Sequence, residues 1–196
     1  MKKSRQIAYI ATFIALIFVA LLLDTAVGSV LPIKPAIFSL PAVFVFALMF
    51  GKWQYSALGG LVFGLLSFAR AFITGSIPFQ NPLVAILPRA NLGFAVFGAY
   101  LLGRLIFAKA RNKEAFALGF AAFLGTLCNT VTVLFMMYFT DFTTLGGVFG
   151  AIISINFPIE IVVATVLTPF ITLGVRRGLH INVEKKRKEN SDVTGD

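Results

Sequence analysis

Six stretches of almost unbroken apolar sequence dominate this chain of 196 residues and leave few folds open to it. They run from Ile7 to Leu23, Ile37 to Phe50, Tyr55 to about Ala69, Leu83 to Phe107, Ala115 to Phe139 and Val148 to about Leu173. A helix crosses the hydrocarbon core of a bilayer with about 20 apolar residues. The runs are apolar on all sides, whereas strands of a closed membrane barrel alternate, so helices are the solution left. Hydrophobic residues make up 58% of the chain and charged residues 13%. No water-soluble fold of this size hides so much apolar surface. A soluble domain, a nucleic-acid binder and a disordered chain are thereby excluded. The second and third runs are short, which predicts tilted or partly sheltered helices.

The expectation is an all-α integral membrane protein: a six-transmembrane-helix bundle over residues 1–175, then a charged tail over 176–196. Lysine and arginine set its orientation. With the N-terminus inside, the inner segments hold Lys2, Lys3, Arg5, Lys52, Arg104, Lys109, Arg111, Lys113, Arg176, Arg177, Lys185, Lys186, Arg187 and Lys188. The outer side holds Lys34, Arg70 and Arg89. Both termini are therefore expected in the cytoplasm. A cleaved signal peptide is the competing reading of the basic start Met1 to Gln6. It would leave five spans and invert the termini, against the charge distribution.

On the outer side, Asp24 to Leu40 and Arg70 to Pro82 are long connections rich in Pro, Gly and Phe, while the inner turn at Lys52 is minimal. Long apolar loops on one face suggest a lid over an outward site, or simple packing on neighbouring helices.

Polar groups inside a membrane are costly, so each is a functional candidate. Arg89 and Asn91 fall in the fourth run, Thr126, Asn129 and Thr130 in the fifth, and Asn156 and Glu160 in the sixth. At ~1.5 Å per residue, Arg89 lies about 10 Å below the outer end, Asn129 about 15 Å, Asn156 about 12 Å and Glu160 about 18 Å. Three helices thus bring polar groups into one outer slab, as a small-molecule pocket requires. Arg89 cannot shed its proton and needs an anion: a ligand carboxylate or phosphate, or Glu160. The asparagines serve equally well as interhelical glue. Small residues at four-residue spacing (Ala11 and Ala15, Gly60 and Gly64, Gly146 and Gly150) allow close helix approach, within the bundle or to another subunit.

The lone Cys128 and lone His180 offer no disulfide and no metal set. There is no phosphate-binding glycine loop and no H-E-x-x-H. No inverted repeat of the alternating-access kind is evident. Six helices with a lidded pocket and no engine read as a binding subunit rather than an enzyme.

Four stretches carry a family likeness. They are the A-x-x-x-A at Ala11 and Ala15; Leu40-Pro41-Ala42 through Phe50-Gly51-Lys52-Trp53 to Gly59-Gly60; Asn81-Pro82-Leu83 followed by Leu87-Pro88-Arg89; and Asn156-Phe157-Pro158-Ile159-Glu160 through Pro169. In this order, over about Ile7 to Leu173, the chain resembles the substrate-binding S component of energy-coupling factor (ECF) vitamin transporters, most of all the pantothenate-type branch. The resemblance implies a subunit that binds a vitamin at the outer face of the cell membrane of a bacterium. It implies delivery inward with a transmembrane coupling subunit and two cytoplasmic ATPases. ATP is then used by those partners, with no cofactor in this chain. The resemblance puts Arg89, Asn129 and Asn156 in the site, with Glu160, Thr126, Asn81 and Arg70 as further candidates, and Ala8, Ala11 and Ala15 against the coupling subunit. Pantothenate fits one arginine and several amide and hydroxyl groups. Pyridoxine, hydroxymethylpyrimidine, folate and a self-sufficient transporter remain alternatives, as does an intramembrane enzyme using Glu160 as a base.

Overall fold

A computed structural model describes residues 3–30, 36–144, 146–147, 150, 156–179 and 181, with the backbone alone at 3–6 and 156. All the regular structure among the described residues is helical. Helix α1 covers Lys3–Val30, α2 Ser39–Met49 and α3 Trp53–Thr74. A 3-10 turn at Ile77–Gln80 leads into the short α4, Pro82–Ala85. Then come α5, Leu87–Ile106, α6, Lys113–Phe139, and α7, Asn156–Gly178.

Five segments are long and apolar enough to cross a membrane: Ile7–Val30, Trp53–Thr74, Pro82–Ile106, Lys113–Phe139 and Phe157–Gly178. Each has 22 or more residues, hence a length of at least about 33 Å against a core of about 30 Å. The run Ile37–Phe50 behaves differently. It forms only the 11 residues of α2, about 16 Å of helix. Ten of them, all but Ala42, are buried.

A short helix inside a bundle must satisfy its end groups within the protein. Here two charged side chains do so. Asp24 of α1 accepts the amides of Phe38 at 2.9 Å and Ser39 at 3.0 Å, at the positive end of α2. Arg176 of α7 donates to the carbonyls of Leu48 at 2.6 Å and Met49 at 3.1 Å, at the negative end. Both signs complement the helix dipole. Arg176 also bonds Glu114, which accepts from the Tyr100 hydroxyl at 2.5 Å and faces Arg104 at 3.7 Å.

These contacts move several expected boundaries. Asp24 does not close the first span, because α1 continues to Val30. Arg70 lies in the last turns of α3 rather than in a loop. The fourth run breaks at Ile86, since Pro88 has no amide to offer the Val84 carbonyl. Helix α7 continues past residue 175 to Gly178, and buries Arg176. Residues 182–196 and Lys34 lie outside the described residues.

Glycine sets the tightest helix contact. A Cβ on Gly60 of α3 would come within 2.9 Å of the Gly93 amide nitrogen of α5, and one on Gly93 within 2.7 Å of the Ser56 carbonyl carbon. Gly60 thus serves contact inside the bundle. Gly64 does the same against Ile86, 3.1 Å from a built Cβ.

Candidate ligand-binding site

Because α2 begins level with Asp24, it leaves space above its first turn. A cavity of about 720 Å³ occupies that space, within the roughly 300–1,000 Å³ usual for small-molecule sites. Helix α2 supplies only its first residue, Ser39, to the lining. The walls come from the C-terminal parts of α1 and α3, the start of α5, the second half of α6 and the start of α7.

The polar lining is concentrated. Asp24, Ser39, Ser67, Arg70, Arg89, Asn129 and Glu160 all face this cavity, together with Phe63 and Phe79. Arg89 is 7% exposed. Its Nη1 donates to the carbonyls of Ala85 at 2.9 Å and Val84 at 3.4 Å, the two groups stranded by the Pro88 break. Its guanidinium lies over the rings of Phe79 at 4.8 Å and Phe63 at 5.2 Å. Among the described residues, no ion pair joins Arg89 to Glu160. Glu160 Oε1 instead accepts the Ala36 amide at 2.7 Å. Arg70 Nη1 donates to Thr25 Oγ1 at 3.3 Å.

Four polar atoms of lining residues, each buried beneath the cavity surface, meet no partner among the described residues: Arg89 Nε, Asn129 Oδ1, Ser39 Oγ and Ser67 Oγ. Such an atom costs about 1–3 kcal/mol where nothing compensates it. All four belong to residues around one cavity, where small side-chain rotations would present them to a polar solute. Two uncommitted hydroxyls, one amide oxygen and one cation suit a small molecule with an anionic group and several hydroxyl or amide groups.

A comparison with known proteins bears on what that solute is. The chain is 32% identical over 193 aligned positions to the pantothenic acid transporter PanT of Lactococcus lactis subsp. cremoris, covering 86% of this chain and 93% of that one. The chain belongs to the PanT family. It is 32% identical over 145 positions to the pantothenate transporter PanT of Leuconostoc mesenteroides subsp. mesenteroides, covering 64% of this chain and 67% of that one. No protein-family model matches the chain. With its five membrane-length helices, this PanT-family chain is a multi-pass protein of the bacterial cell membrane.

Of the residues the sequence singles out, the fold brings Arg70, Arg89, Asn129, Thr130 and Glu160 to one cavity. Thr126 is buried one turn deeper, with its hydroxyl on the Ala122 carbonyl at 2.9 Å, and does not line it. Asn81 caps α4 by accepting the Leu83 amide at 3.0 Å, a structural duty away from the lining. The Asn156 side chain lies outside the described residues. Asn91 is exposed on the outer surface of α5. Phe79 lines the cavity, whereas Phe72 and Tyr138 do not. Sequence reading passed over Asp24, Ser39 and Ser67. Asp24 reads as the charge that ends the first run. The signal for the serines was their company: Ser39 is the one polar residue of the shortest run, and Ser67 lies three residues before Arg70.

Proposed function

We propose that this chain is the substrate-capture subunit of an ECF-type uptake transporter and that its cargo is pantothenate. The observation that carries the reading is the set of four unpartnered polar atoms around the 720 Å³ cavity, with Arg89 among them. Pantothenate has one carboxylate for an arginine, a secondary amide for the Asn129 oxygen, and two hydroxyls for the serines. The names of the two relatives support the same cargo.

The topology proposed is six crossings with both termini in the cytoplasm. Helix α2 completes the second crossing together with the connections that lead into and out of it. The cavity then opens outward, and the Arg176 cluster lies inward. The charge distribution supports this orientation. Glu160, by holding Ala36, ties the α1–α2 connection to α7 beside the cavity. That contact suits a lid whose opening admits the vitamin.

The chain has no nucleotide-binding motif of its own, so the energy comes from partners: a transmembrane coupling subunit and two cytoplasmic ATPases. Ala8, Ala11 and Ala15 are all exposed on α1. Buried Phe13, Ile17 and Ala20 mark the opposite, inward face of the same helix. The small-residue stripe is thus available to a second membrane subunit. Asn156 remains a candidate in the site through its position at the start of α7. The role is transport rather than catalysis.

Two measurements test this reading. Calorimetry of the purified chain against pantothenate, pyridoxine, hydroxymethylpyrimidine and folate should give saturable one-site binding of pantothenate alone. Uptake into proteoliposomes should require the coupling subunit, the ATPases and ATP. Uptake by this chain alone would replace the capture role with that of a self-sufficient carrier.

A further inference from the structure

A second concavity, an apolar groove between α6 and α7, lies in the half of the bundle away from the cavity and has no part in vitamin capture. Its volume is about 490 Å³, and Phe116, Phe120, Phe123, Val166, Pro169 and Phe170 line its length. Gly119 forms its floor, where an added Cβ would meet the Thr165 carbonyl oxygen at 3.4 Å and Pro169 Cγ at 3.5 Å. Pro169 has no amide for the Thr165 carbonyl, which loosens α7 at this level.

Dimensions decide what fits. From Ala115 to Phe123 the groove follows nine residues of α6, about 12 Å from first to last. That is nearly the hydrocarbon depth of one leaflet, about 15 Å. An acyl chain running from the headgroup level to the middle of the bilayer matches that length.

The mouth of the groove is cationic. Asn112 and Phe107 border it, and the turn between them carries Lys109 and Arg111, both exposed. On α7 the lining residues Val166, Phe170 and Leu173 are followed on the same face by the exposed Arg177, at spacings of four, three and four. Glu114 is the acidic residue at this level, and it is already bonded to Arg176 and Tyr100. Arg104 and Lys113 are engaged within the protein.

We propose that this groove is a binding site for an anionic phospholipid, one acyl chain lying between α6 and α7 and the phosphate resting against Lys109, Arg111 and Arg177. An apolar slot one leaflet deep that ends in three cations matches that molecule and no uncharged lipid equally well. The site is independent of the vitamin cavity and would hold whichever solute the cavity takes.

Native mass spectrometry of the full chain tests it, with phosphatidylglycerol and phosphatidylcholine of identical acyl chains as probes. One phosphatidylglycerol should be retained per chain, and phosphatidylcholine far more weakly. Lys109→Gln, Arg111→Gln and Arg177→Gln should each weaken phosphatidylglycerol retention about fivefold. Gly119→Leu should abolish retention of both lipids, with Ala115→Leu serving the same purpose should the first variant not fold. Equal retention of the two lipids, or indifference to all three charge changes, overturns the proposal. So does phosphatidylglycerol that survives filling of the groove, or a protein helix found seated there in the assembled transporter.

Discussion

Arg89→Ala is the sharpest test of the cavity, and it has to be separated from a trivial loss of fold. The side chain does two jobs in the structure. It donates to the Ala85 and Val84 carbonyls at the Pro88 break, and it lies between Phe63 and Phe79 facing the cavity. Losing the first job costs the fold about 1–3 kcal/mol. If a carboxylate sits on the guanidinium, losing the second costs binding about 3 kcal/mol, within the 2–5 kcal/mol seen when one partner of a buried charge pair is truncated. That is roughly 150-fold in Kd. Pantothenol, the alcohol lacking the carboxylate, distinguishes the two effects. Wild-type protein should prefer pantothenate over pantothenol by about 100-fold, and Arg89→Ala should bind both alike. Arg89→Lys keeps the charge but loses the planar fork, and should recover only part of the preference. The assay is calorimetry, with a thermal transition recorded for each variant. A folded Arg89→Ala protein that still prefers the acid over the alcohol would refute the assignment.

Three further changes probe other parts of the molecule. Asn129→Leu removes a buried amide oxygen that meets no partner among the described residues, so the empty protein should gain about 1 kcal/mol in thermal stability while pantothenate affinity falls; a loss of stability would mean that Asn129 holds helices together instead. Gly93→Leu forces a side chain into the Ser56 backbone, and should lower the thermal transition severely or prevent folding, whereas Gly98→Leu, with open space around it, should not. Ala11→Trp combined with Ala15→Trp should block ATP-driven uptake and leave pantothenate binding intact, since both positions are exposed in the isolated bundle; joint loss of binding and uptake would refute a docking role.

Fold class was legible because lipid imposes the strongest of constraints, and unbroken apolar runs of this length fit helices that cross it and little else. Arg89, Asn129 and Glu160 were legible as a group because depth along a helix follows from residue count alone. What depth cannot give is rotation and duty. Thr126 has the right depth, yet its hydroxyl turns onto the Ala122 carbonyl. Asn81 is polar and near the site, yet its side chain is taken by the Leu83 amide. Glu160 and Arg89 carry opposite charges in the same outer slab, yet each is bonded to backbone rather than to the other. Hydrogen bonding to the backbone won in all three cases, within a few residues for Thr126, Asn81 and Arg89 and across the bundle for Glu160, and a run of sequence does not announce it. Asp24 and Arg176 were misplaced for a related reason. Each is a charge at the edge of an apolar run, which reads as a membrane boundary, but each reaches inward to an end of α2.

That last pairing explains why a cavity exists here at all. A full-length second helix would fill the column between α1, α3 and α7, as apolar helices in a bundle ordinarily do. Shortening it to 11 residues empties the upper part of the column, but strands two sets of backbone groups in a low-dielectric interior. One carboxylate and one guanidinium resolve both ends, and their signs cannot be exchanged without opposing the dipole. Arg176→Gln should therefore destabilise the bundle by about 3 kcal/mol, because it strips Leu48 and Met49 of their donor and leaves Glu114 without its closest cation. Restoring charge balance with Glu114→Gln in the same chain should recover stability only in part, since the α2 carbonyls stay unpaired. Full recovery would mean that the ion pair, and not the cap on α2, is what Arg176 contributes. The floor of the cavity would then be held by packing alone.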